Sequence, residues 1–212
     1  MSTWAVVVAA GNASRFGRPK QYEQLGGKRV LDWSLAAARA SCDGVVVVVA
    51  PEMAARVEPV ADVVVGGGQT RSASVRCGLA AVPADASVIV VHDAARPLAP
   101  AALFLAVVAA VASGADGAVC ALPVADTVKR VEKRAVVETL DRRYLWAAQT
   151  PQAFAASVLR AAHEAEPEAT DDAALVEAAG GRVVVVEGDP CNRKLTEPHD
   201  LVVAEALLAT LG

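Results

Sequence analysis

The 212-residue sequence predicts an α/β fold, with a doubly wound, mostly parallel sheet and a protruding β-hairpin arm. Three observations carry this. Short valine-rich runs alternate with alanine-rich segments of helical length. The runs are continuously apolar, as in strands covered on both faces. One highly charged stretch interrupts the rhythm, as an exposed arm would.

The predicted strands, in order, are 4–9, 44–50, 61–66, 87–93, 117–124 and 182–188. Helices are expected over 30–40, 51–60, 70–82, 100–114 and 197–211. Pro100 suits a first helical turn and Gly114 a stop. ATDD at 169–172 reads as a helix N-cap followed by acids in the first turn. The arm spans roughly 126–147; nine of the fifteen residues 129–143 are charged, with valines between them and a turn near EKRA. A two-stranded hairpin is marginal alone, so the arm is expected to dock on a partner subunit. With no repeat or linker, residues 1–212 read as one domain.

Composition excludes several classes. Hydrophobic residues make up 54 % of the chain and charged residues 21 %, which fits a globular core rather than disorder. The net charge of −4 argues against general nucleic-acid binding, so a local basic patch points to a small anion. Cys42, Cys77, Cys120 and Cys191 are widely spaced, with no C-x-x-C pair, as in a reduced, cytoplasmic protein. The N-terminus has no signal-peptide pattern. The longest apolar run, 101–112, falls short of the roughly 20 residues of a membrane span.

In open α/β sheets, ligands bind beyond the carboxyl ends of the strands. The polar motifs stand there. AAGNASRFGRPKQY follows the first strand, with Ala9, Ala10 and Gly11 leaving backbone uncovered and Arg15 and Lys20 supplying charge. It is neither a P-loop nor a dinucleotide fingerprint. GGGQTRSAS (66–74) follows the third strand and is either an anion or ribose site at a helix start or an ordinary capped turn. HDAARP (92–97) places Asp93 where it could hold Mg²⁺, with Arg96 either pairing with it or meeting phosphate; His92 reads as a satisfied, partly buried residue. Arg142 and Arg143 lie at the root of the arm, and Lys194 follows the last strand.

Together, AAG…R(F)G…PKQY, GG…R..SV, HDAARP, DT.KR, DR..LW…TPQAF, TDDA and N.K.T occur in order along essentially the whole chain. They resemble the 2-C-methyl-D-erythritol 4-phosphate cytidylyltransferases of the non-mevalonate isoprenoid pathway. The resemblance implies a Rossmann-like nucleotidyltransferase fold and a homodimer built through the arm. It implies CTP and 2-C-methyl-D-erythritol 4-phosphate as substrates and Mg²⁺, or another divalent cation, as cofactor. By the same resemblance Arg15 and Lys20 stabilise the transition state, and Ala9, Ala10, Gly11, Gly68, Ser74 and Ala94 line the nucleotide. Asp93 lies beside the substrate phosphate and the metal. Arg142, reached from the partner's arm, and Lys194 position that phosphate, with Thr127, Thr150 and Thr170 as further contacts. Ala13 stands where the family often has a second loop glycine. Cys191 stands where an acid commonly precedes the asparagine, so no metal ligand is assigned there. Arg143 adds a second charge beside Arg142.

Three alternatives remain. A cytidylyltransferase for another polyol phosphate, such as ribitol 5-phosphate, would share the scaffold, and HDAARP weighs against it. A nucleotide-binding scaffold without turnover is disfavoured by Arg15, Lys20 and Lys194. An NAD-dependent oxidoreductase lacks its fingerprint.

Overall fold

The computed structural model describes residues 1–11, 16–55 and 58–211. A seven-stranded sheet forms its centre. The strands are β1 (Thr3–Val8), β4 (Gly44–Val49), β5 (Val63–Gly66), β6 (Val88–Asp93), β7 (Gly117–Pro123), β10 (Trp146–Ala155) and β11 (Val183–Glu187). Their order across the sheet is β5-β4-β1-β6-β10-β7-β11. All run parallel except β10, which is antiparallel to both neighbours. Two small ribbons accompany the sheet, β2 (Gln24–Leu25) with β3 (Lys28–Arg29) and β8 (Lys129–Glu132) with β9 (Ala135–Thr139).

Side chains on successive strand residues point to opposite faces, so an all-apolar strand feeds two cores. Ala5 and Val7 of β1 pack with Leu31 and Leu35 of α1 (Val30–Arg39) and with Phe104 and Val107 of α3 (Ala101–Ala112). Val6 packs on the other face with Val75 and Leu79 of α2 (Arg71–Ala81), in a core that extends to Leu159 of α4 (Ala156–His163) and Val176 of α5 (Asp172–Ala178). A Cβ on Gly78 would stand 2.4 Å from Val6, so glycine there brings α2 down onto the sheet. The last helix, α6 (His199–Leu211), closes a third core around Leu25, Val30 and Leu195.

Two expectations need correction. The helix expected over 51–60 is, among the described residues, only a turn at Pro51–Met53. Pro59 disfavours helix at the residue before it, and Glu58 is instead buried against Arg29, 2.6 Å away. Strand β10 was not among the six predicted. Its polar Gln149, Thr150 and Gln152 are buried, which conceals it from a search for valine runs.

The charged stretch forms the β8–β9 hairpin, and every residue of both strands is exposed. The turn residues Lys133 and Arg134 both have positive φ, 46° and 70°, the pattern that lets a two-residue turn follow the twist of its strands. No helix among the described residues is long and apolar enough to cross a membrane.

Candidate active site

β1 sends its connection to β4 on one side and pairs with β6 on the other, which makes the β1/β6 boundary the switch point of the sheet. The strands end in register, with Val8 beside Asp93. A cleft of about 300 Å³ opens there, lined by 8–11, Lys20, Gln21, 68–71, Ser74, 93–95 and Lys194. A second cavity of about 210 Å³ is lined by Arg96, 148–150, Gln152, Thr170 and Asp171. Arg71, Asp93 and Lys194 line both.

Asp93 sits at this junction. Its Oδ2 accepts from Lys194 Nζ at 2.6 Å and its Oδ1 from Arg71 Nε at 3.1 Å. Burial alone would raise the Asp93 pKa; Arg71 and Lys194 outweigh it and hold the carboxyl well below the usual range. Burial also works against the Arg71 charge, and Asp93 and Asp172 overcome it, raising its pKa. Arg96 does not pair with Asp93. It donates to the carbonyls of Asn192 and Ala148, tying the 191–196 loop to β10.

A neutral chain of bonds runs behind Asp93. Its backbone N–H donates to Thr150 Oγ1 at 3.0 Å. The Thr150 hydroxyl lies 3.1 Å from His92 Nδ1, and His92 Nε2 lies 3.3 Å from the Arg96 carbonyl. A carbonyl only accepts, so Nε2 carries the proton and Nδ1 accepts from Thr150. Burial pushes the His92 pKa down to about 4, which suits this neutral tautomer.

On the other side, Lys20 leaves a short turn (Lys20–Tyr22) and donates to the Leu195 carbonyl at 2.6 Å. Buried Gln21 donates to the Ala9 carbonyl, and the Ala9 N–H bonds the Val48 carbonyl. Both backbone groups of Ala9 are thus occupied, so Ala9 shapes the cleft rather than donating into it. The Ala94 N–H is likewise spent on Val8. The Ser74 hydroxyl faces the Gly68 and Thr70 carbonyls and steadies that wall.

The family model for IspD, 2-C-methyl-D-erythritol 4-phosphate cytidylyltransferase, matches residues 3–210. This chain belongs to that family.

A 2-C-methyl-D-erythritol 4-phosphate cytidylyltransferase of Streptomyces avermitilis is 44 % identical over 98 % of this chain and 92 % of its own length. A bifunctional IspD/IspF enzyme of Anaeromyxobacter dehalogenans is 48 % identical over 96 % of this chain, which spans 56 % of that longer protein. The crystal structure of the Thermus thermophilus cytidylyltransferase superposes with a TM-score of 0.83 at 38 % identity, covering 96 % of this chain and 98 % of that one. The fold is therefore the Rossmann-like nucleotidyltransferase fold of the IspD enzymes.

Of the residues the sequence singled out, the cleft gathers Ala9, Ala10, Gly11, Lys20, Gly68, Ser74, Asp93, Ala94 and Lys194. Thr150 and Thr170 line the smaller cavity. Arg15 lies outside the described residues. Thr127 and Arg142 are exposed on the arm and line neither cavity, and Arg142 donates to the Ala125 carbonyl. Arg143 turns to Asp141 at 2.6 Å. Sequence reading missed Gln21, Arg71 and Asp171. Arg71 had a signal, since it is the first residue of the helix that follows the glycine-rich turn.

Proposed function

We propose that the chain transfers CMP from CTP to 2-C-methyl-D-erythritol 4-phosphate. The reading rests on the family and is carried by one observation: two cavities meet at Arg71, Asp93 and Lys194. The larger takes the nucleotide and the smaller takes the methylerythritol phosphate. The acceptor phosphate oxygen attacks the CTP α-phosphorus in line. The new O–P bond forms as the α–β bridging P–O bond breaks, and pyrophosphate departs with the electron pair. The nucleophile is already anionic, so no side-chain base is required.

Catalysis is then mostly positioning and electrostatics. Lys20 meets charge growing on the phosphates, and the family resemblance assigns Arg15 the same role. Lys194 holds the acceptor phosphate. Backbone at Ala10, Gly11 and Gly68 shapes the pyrimidine side, with Ser74 fixing the Gly68 wall.

Mg²⁺ fits this cleft in one mode. Among the described residues, Asp93 is the only carboxylate lining the larger cavity, and no group of three metal-ligating side chains occurs. Mg²⁺ commonly binds one or two carboxylates together with substrate phosphates, so Asp93 would hold it jointly with CTP. When bound, it would draw the phosphates together and offset their charge.

The reading extends to a homodimer in which Arg142 and Thr127 reach the partner's smaller cavity, and to a cytoplasmic setting. The deciding experiment is pyrophosphate release with CTP and Mg²⁺, comparing methylerythritol phosphate with ribitol 5-phosphate. Release with methylerythritol phosphate alone is expected. Release with ribitol phosphate alone would keep the fold and overturn the acceptor.

A further inference from the structure

Arg71 stands between two carboxylates that come from distant parts of the chain. Its Nε donates to Asp93 at the end of β6, and its Nη1 donates to Asp172 Oδ2 at 2.8 Å. Its Nη2 is buried and has no partner among the described residues. Asp172 is the first residue of α5 and is only 1 % exposed. Its other oxygen, Oδ1, lies 3.0 Å from Nε2 of buried His163, at the end of α4. A carboxylate at Asp172 only accepts, so His163 Nε2 carries the proton.

The line His163–Asp172–Arg71–Asp93–Lys194 therefore passes from a buried helix end to the junction of both cavities. It also joins their walls. Gly68 to Arg71 line the larger cavity, while Thr170 and Asp171, immediately before Asp172, line the smaller. Surface bonds reinforce the same seam, with Thr70 donating to Glu168 and Arg76 to the Pro167 carbonyl.

We propose that Asp172, backed by His163, is a positioning residue for nucleotidyl transfer. It fixes the Arg71 guanidinium, which in turn sets the Asp93 carboxylate against Lys194 where the two substrates meet. Arg71 acts through Asp93. This rests on the two-cavity reading above and adds the device that aligns the cavities. A buried carboxylate beside a guanidinium would also serve stability, so the test must separate the two roles.

The experiment is a double-mutant cycle between Asp172→Asn and Asp93→Asn, read as kcat with CTP and methylerythritol phosphate. CTP affinity is measured separately by calorimetry. Asp172→Asn keeps an acceptor for His163 and removes the charge facing Arg71. It should lower kcat at least tenfold and change the CTP Kd less than threefold. In the Asp93→Asn background it should change kcat less than twofold, because the group it positions is already gone. Arg71→Lys cannot reach both carboxylates and should repeat the loss and its non-additivity, which covers a poorly folding Asp172→Asn. Equal losses in both backgrounds, or a kcat within twofold of wild type, would overturn the positioning role. No turnover by the wild-type chain would overturn the functional reading and this role with it. Turnover by wild type with an undiminished Asp172→Asn would remove the positioning role alone.

Discussion

His92 and Asp93 are adjacent in sequence, and burial acts on them in different ways. The histidine stays neutral because burial disfavours its charge and no carboxylate hydrogen-bonds the ring to offset that. The aspartate stays charged because two cations hold it. Both linkages have the same sign. Between the ordinary histidine value near 6.5 and the folded value of about 4, the unfolded chain binds a proton that the folded chain refuses. His92 therefore contributes full stability above about pH 6.5 and loses about 3 kcal/mol of it as pH falls to about 4. Asp93, held low, extends the loss below the usual carboxylate pKa. Urea midpoints measured from pH 7 to 4 should fall, and His92→Gln should flatten that fall. At the opposite wall, Lys20→Met should cut kcat more than tenfold, about 1.4 kcal/mol of barrier, while the CTP Kd moves less than threefold. A larger change in Kd than in kcat would make Lys20 a binding residue instead. Asp93 and Lys194 were legible because one ends a strand and the other follows one, each in a short polar motif. The Arg71–Asp172 pair was not, because its members stand 101 residues apart and only the fold makes them neighbours.

At the scale of elements, the sequence was most legible where one force dominates. The parallel strands are written in valine, and all six were recognised to within two residues at either end. β10 is the exception because hydrogen bonds rather than side-chain apolarity make its buried residues tolerable. Gln152 donates to Asp171 and accepts from the Ala173 N–H, so it binds the strand to the start of α5. Gln149 accepts from Asn192 and from the Asp189 N–H, fastening the loop that carries Lys194. A polar strand is thus the frame of the smaller cavity. The larger cavity depends on the close approach of two loops. A Cβ at Gly67 would stand 2.4 Å from the Ala10 Cβ and 2.8 Å from Ser74 Oγ. Gly67→Ala should push the β5–α2 loop from the β1 loop and weaken CTP binding at least tenfold by calorimetry. Adding Ala10→Gly should recover most of that loss, since it removes the nearer obstacle. Failure of the second change to help would mean that the first acts through backbone rather than contact.

For the whole molecule, the arm presents the largest imbalance. Val131, Val136, Val137, Tyr144 and Trp146 are all exposed on or beside it. A two-stranded ribbon has too little buried surface to be stable alone, and apolar residues grouped on one protrusion mark an interaction surface. Arg142 lies at the base of this ribbon and lines neither cavity of its own chain. In a twofold dimer with exchanged arms, each site would combine Lys20 of one chain with Arg142 of the other. That arrangement predicts an unusual complementation. A Lys20→Met chain and an Arg142→Ala chain should each be nearly inactive. A heterodimer of the two would hold one site with both defects and one with neither. Random mixing after dissociation would make about half of the dimers mixed, and activity should return to roughly a quarter of wild type. If each arm served its own chain, every site in the mixture would keep one defect. Native mass spectrometry that finds mixed dimers without recovered pyrophosphate release would therefore place Arg142 outside the partner's site.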